Sequence, residues 1–162
     1  MQAQSLRRRG AYGAIAALAV VMLVVWVAGV SSAAPSGHAA KRRSMTLRDT
    51  ASLHLTRKNG NVLYEKGTAT GTLPGRVTAR FVTGVTKVTG TVTFKPYSGG
   101  SLTVSAVGYP QSAKTITTFT GSLAVRKGTG RFKNALGSGT FNGTANRKTW
   151  AVTVHATANI TY

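Results

Sequence analysis

The chain has 162 residues, no cysteine, and 21 Lys plus Arg against 2 acidic residues, a net charge of +19. Its length suits one domain once an N-terminal export segment is set aside. The lack of cysteine excludes a disulfide framework and thiolate chemistry, so the fold must rest on its own core.

Residues 1–34 read as an export segment. Arg7, Arg8 and Arg9 form a positive start, Ala11 to Val30 is an uncharged apolar run, and Ser31-Ser32-Ala33-Ala34 offers small residues for cleavage after Ala33. The 20-residue run exceeds the usual signal-peptide core of about 7–15 residues. It also matches the roughly 20 residues that cross a bilayer. A cleaved signal peptide and a retained anchor helix both stay open. Either leaves the arginines cytoplasmic and the remaining chain outside, secreted or anchored. Residues 35–45 read as a linker. It carries Pro35, His38 and the cluster Lys41-Arg42-Arg43, with no apolar period.

Eight strands are expected over residues 46–162. In the first, Leu47, Asp49, Ala51, Leu53 and Leu55 share one parity, which marks a half-buried strand. Asn59-Gly60 signals a hairpin. The second strand runs from Val62 to Leu73, with Leu63, Glu65, Gly67, Ala69, Gly71 and Leu73 inward. Pro74-Gly75 turns into the third, Arg76 to Thr83. The fourth (Lys87 to Lys95), fifth (Ser101 to Gly108) and sixth (Lys114 to Val125) follow, and the seventh covers Gly139 to Ala145. The eighth points Trp150, Val152, Val154, Ala156, Ala158, Ile160 and Tyr162 one way. Thr and Val abound, and both favour strands.

Eight short strands with tight turns and no helical period argue an antiparallel meander. Closure into a barrel removes two exposed edges. The fold class is therefore all-β, an eight-stranded antiparallel meander closed into a small β-barrel, preceded by an N-terminal apolar helix. A barrel of this size is either filled by side chains or holds one small ligand. Small inward residues such as Gly67, Ala69, Gly71 and Gly90 are expected to leave room inside.

Between the sixth and seventh strands lies Gly128-Thr129-Gly130-Arg131-Phe132-Lys133-Asn134-Ala135-Leu136-Gly137. The first two glycines permit a tight reversal with positive φ, and Arg131 to Leu136 can form one short helical turn. Phe132 is expected to pack beneath this turn and close one end of the barrel. The string resembles the GTGRF-x-x-A-x-G signature of the allene oxide cyclase and dirigent-like barrel superfamily. Gly128, Thr129, Gly130, Arg131, Phe132, Ala135 and Gly137 match it. The resemblance implies a barrel with an apolar cavity, a carboxyl inside it, cyclase or isomerase activity as one option, and a homo-oligomer, a trimer above all.

Asp49 and Glu65, the only acids, fall on inward parity. A carboxyl among core positions is costly unless partnered, and its pKa tends to rise. As a catalytic pair they could do acid/base work on a small apolar substrate. As structural residues, Asp49 precedes the first strand and Glu65 pairs with Lys66, Arg80 or another of the many bases. No His/Cys/acid cluster has metal spacing, so no metal or cofactor is expected. Setting Arg7, Arg8 and Arg9 aside leaves 18 bases against 2 acids, +16 on the exported part. That charge suits an anionic membrane or cell-wall surface, and hence a structural or adhesive module. Sparse aromatics and the export segment disfavour nucleic acid. The leading expectation is a barrel that binds a small apolar molecule without chemistry of its own.

Overall fold

A computed structural model of the chain describes residues 42–112 and 114–162. The expected export helix and most of the expected linker lie outside the described residues. The strands are β1 (Ser44–Asn59), β2 (Val62–Gly71), β3 (Gly75–Thr83), β4 (Val88–Pro96), β5 (Ser101–Pro110), β6 (Ile116–Thr129), β7 (Leu136–Asn146) and β8 (Val152–Thr161), with a 3-10 turn at Gly130–Phe132. Each strand pairs antiparallel with the next, and β8 returns to β1, so the sheet is a closed barrel. Among the described residues no strand edge is left for another chain to pair with.

The β1–β8 seam runs in register from Ser44 opposite Thr161 to Leu53 opposite Val152. Arg43 and Tyr162 extend it, exchanging two backbone hydrogen bonds of 2.7 and 2.8 Å. The barrel thus begins in residues read from the sequence as linker. Two bulges sharpen the curvature. The β1–β2 register shifts between Leu55 and Arg57, and β6 carries an extra residue, Arg126, opposite Thr103 and Val104. The Arg126 Nε donates to Ser105 Oγ at 2.8 Å and holds the second bulge outward.

The two ends differ. One end holds the β2–β3 and β4–β5 turns, the start of β1, the end of β8 and the Gly130–Phe132 turn. Leu47, Leu73, Leu102, Phe132, Ala135 and Ile160 are buried there as one cluster. Phe132 has no exposed surface, and it closes this end as the sequence predicts. The other end holds the remaining four hairpins, and Val85 at the tip of the β3–β4 loop is fully exposed.

The signature turn is built differently from the expectation. Gly130 has φ +60°, but Gly128 remains in extended β6. A Cβ on Gly128 would collide with the Phe132 carbonyl, so this glycine serves close approach rather than chain reversal. The left-handed step falls instead on Asn134, φ 62°. The helical turn spans Gly130–Phe132, not Arg131 to Leu136. The Lys133 N–H donates to the Gly130 carbonyl at 3.0 Å, and the Ala135 N–H to that of Phe132 at 2.9 Å.

Bases line the outside of β2, β3 and β4 (Lys66, Arg76, Arg80, Lys95), whereas β7 and β8 contain no Lys or Arg. No helix among the described residues is long and apolar enough to cross a membrane.

Candidate functional site: an apolar cavity with two buried carboxyls

The inward faces of all eight strands enclose a cavity of about 460 Å³, within the roughly 300–1,000 Å³ of small-molecule sites. Its floor includes Leu47, Leu102 and Ile160, above the buried plug. Its mouth opens among Val85, Pro110, Arg147 and Trp150, at the end with the four hairpins. The wall between is almost wholly aliphatic and aromatic. The sheet positions this wall by simple alternation: one residue in two faces inward.

The room does not come from the inward glycines. A Cβ on Gly67 would meet the backbone of Ser52, one on Gly71 the Arg48 carbonyl, and one on Gly90 the ring of Phe81. These glycines let strands and rings approach closely. The free volume lies instead beside small side chains such as Ala51, Ala106 and Ala156, which line the cavity. Phe119 and Phe141 show the same device. Their rings meet edge to face, 6.0 Å between centroids at 65°. Phe141 covers Gly121 and Phe119 covers Gly143. The sequence signal for this pair was present, as Phe and Gly alternate on the inward parity of both strands.

Trp150 departs from the expected eighth strand. It has φ 57° and precedes β8, which starts at Val152. Asn146 extends the turn. Its Oδ1 accepts the amides of Lys148 and Thr149 at 2.9 and 3.2 Å, and its carbonyl accepts that of Trp150 at 2.6 Å. Trp150 is therefore half-buried at the mouth, with the Lys58 ammonium 4.7 Å above its ring centroid. Ala158 and Ile160 are buried, while Val152, Val154 and Ala156 are only half-buried because they face the cavity.

Both acids line the cavity. Asp49 lies within β1, not before it, and its Oδ1 accepts the Leu73 amide at 3.0 Å. Burial pushes its pKa up, partly offset by the backbone amides of Leu73 and Thr72. This carboxyl ties the β2–β3 turn to β1. Glu65 is 2% exposed, and burial pushes its pKa up to about 7. Lys66 and Arg80 point to solvent from the outer face, so neither supplies the pairing expected for it. The enclosed Oδ2 of Asp49 and Oε2 of Glu65 have no hydrogen-bond partner.

The register keeps the two acids apart. Glu65 faces Leu55 across the β1–β2 ladder, while Asp49 lies six positions earlier on β1, opposite Gly71. At about 3.3 Å per residue the backbones are roughly 20 Å apart, too far to act together on one small reacting centre. Gly128, Thr129, Gly130, Arg131 and Phe132 belong to the closed end, and none lines the cavity. Arg131 stacks its guanidinium 4.7 Å from the Phe132 ring centroid. Among the described residues no group of three His, Asp or Glu is placed to hold a metal ion. No family model, curated protein or solved structure matches this chain.

Proposed function

We propose that this barrel binds one small, largely apolar molecule and does not transform it. The observation that carries this reading is the 460 Å³ cavity, walled by apolar side chains and open at one end only. Transfer of an apolar ligand into such a site is driven by surface removed from water, at about 25 cal/mol per Å². A cyclase or isomerase in which Asp49 and Glu65 act as a pair on one reacting centre is not supported by the six-position offset between Asp49 and the register partner of Glu65.

The neutral dye N-phenyl-1-naphthylamine, whose emission rises in apolar surroundings, tests the binding reading. Saturable uptake at micromolar dye is the expected result. Ala156→Trp, which places an indole on the cavity wall, should weaken it at least tenfold while the sheet signal in circular dichroism persists. No saturable uptake by the wild type, or equal uptake by the filled variant, overturns the reading.

The site of action that accompanies this reading is outside the cytoplasmic membrane. The basic start and apolar run of residues 7–30 support it. Fractionation of cells making the full chain with a C-terminal tag tests it, and recovery in the cytosol counts against it.

A further inference from the structure

We infer that Glu65 is the polar anchor of the cavity, donating a hydrogen bond from its carboxyl to an acceptor oxygen, a carbonyl above all, on an otherwise apolar and uncharged ligand. This rests on the binding reading above and adds the class of molecule bound.

The inference follows from which protons the wall can offer. The Thr83 hydroxyl already donates to the Asn61 carbonyl at 3.0 Å, and that of Thr117 to the Ser112 carbonyl at 2.7 Å. Asp49 is held by the Leu73 amide. Arg147 and Trp150 stand at the rim, where water reaches them. Asp49 and Glu65 both line the cavity with an enclosed oxygen that no protein atom satisfies, but Asp49 is tied through its other oxygen to the Leu73 amide, whereas no backbone amide fixes Glu65. An unsatisfied buried polar group is costly, and a ligand that satisfies it gains that difference.

The surroundings favour the acid form. Inward neighbours of Glu65 are Leu53 and Leu55 on β1 and Val77, Ala79 and Phe81 on β3, none of them ionisable. Of the charged groups of these strands, His54, Arg57, Lys66, Arg76 and Arg80 are exposed on the outside, and Lys58, opposite Leu63 across the β1–β2 ladder, is exposed at the mouth over Trp150. Asp49 is six register positions away, and Arg147 is at the rim. No fixed cation therefore stabilises a carboxylate here, and burial holds the pKa near 7. A cationic ligand must approach a strongly basic protein, and an anionic one must sit beside a carboxyl with no base at hand. A neutral molecule with one acceptor meets neither obstacle.

Fluorene and 9-fluorenone have one shape and differ by a carbonyl, so titrating both against the wild type at pH 6 and pH 9 tests the anchor. At pH 6 fluorenone should bind about tenfold more tightly, the size of one net hydrogen bond. At pH 9 only about 1% of a group with pKa about 7 keeps its proton. The affinity for fluorenone should then fall about tenfold, to that of fluorene, as the one net hydrogen bond is lost, and the preference should vanish. Glu65→Leu should bind both probes equally at both pH values. Glu65→Gln, whose amide donates without titrating, should keep the preference at both. If fluorene binds as tightly as fluorenone at pH 6, or Glu65→Leu keeps the preference, the anchor is refuted while the binding barrel stands. If neither probe binds, the binding reading fails, and the anchor with it.

Discussion

The rings of Phe132 and Tyr162 lie 5.2 Å apart between centroids, inclined at 59°. One comes from the Gly130–Phe132 turn and the other from the last residue of the chain. Their contact locks the plug to the β1–β8 seam, which Arg43 and Tyr162 close by mutual backbone hydrogen bonds. A local turn and the longest-range pairing in the fold thus stabilise each other.

Phe132→Ala should destabilise the barrel by about 3–5 kcal/mol, because it removes a fully buried aromatic and leaves a void. That is a large part of the roughly 5–15 kcal/mol that holds a domain folded. His155→Thr is the control. His155 is exposed on β8, and its Nδ1 lies 2.9 Å from the Thr50 hydroxyl. Its loss should cost no more than about 0.5 kcal/mol. Equilibrium urea unfolding of both variants checks this. Equal effects would show that the plug carries no special weight.

Gly130 and Gly128 should be intolerant for different reasons. Gly130→Val strains a left-handed backbone and brings a Cβ to 2.9 Å from the Gly100 Cα. Gly128→Ala places a methyl against the Phe132 carbonyl although its backbone needs no positive φ. Gly130→Asn, whose side chain tolerates φ near +60°, should recover more stability than Gly130→Val. Thermal midpoints of the variants decide it. An Asn as damaging as Val would point to crowding rather than backbone strain.

Asp49→Ala should cost about 1–3 kcal/mol, since the Leu73 amide loses its buried acceptor. Asp49→Asn keeps an oxygen in place and should be far milder. Amide hydrogen exchange at Leu73 reads the contact directly. Protection there should drop in the Ala variant and persist in the Asn variant.

The pH dependence of stability should run opposite to that of most proteins rich in ion pairs. Below about pH 4.5 the Glu65 carboxyl is protonated in both folded and unfolded chains. Between there and about pH 7 the unfolded chain releases the proton while the folded chain keeps it. Stability therefore falls with rising pH across that window and levels off above it, by about 3 kcal/mol in all. The raised pKa of Asp49 acts with the same sign from about pH 3.8 upward. Glu65→Gln should flatten the slope between pH 5 and 7. Urea unfolding at unit pH steps tests it, and an unchanged slope in that variant would assign the effect elsewhere.

Much of the architecture was legible in side-chain parity. Leu47, Asp49 and Leu53 share one face of β1 because the period of a strand is two, and a barrel keeps that period in every strand. The buried Phe132 was legible because glycines and one aromatic crowd a turn between two strands. Trp150 was not, since parity alone continues β8 backward and the Asn146 side-chain contacts that break it depend on the folded turn. The role of Asp49 was hidden for a similar reason: its partner, the Leu73 amide, is 24 residues away. The cavity was legible only as one of two outcomes. Whether eight strands leave space depends on how closely they approach, and the glycines that seemed to provide room instead bring the walls together.

Both ends of the described chain, Arg42 and Tyr162, emerge beside the Phe132 plug, and the mouth faces the opposite way. A tag attached after Tyr162 joins the barrel at the closed pole, so immobilisation through it should not slow ligand uptake. The four mouth hairpins can change sequence without touching the plug or the β1–β8 seam. On the proposed binding reading, ligand selectivity and fold stability are thereby separable properties, set at different poles of the barrel.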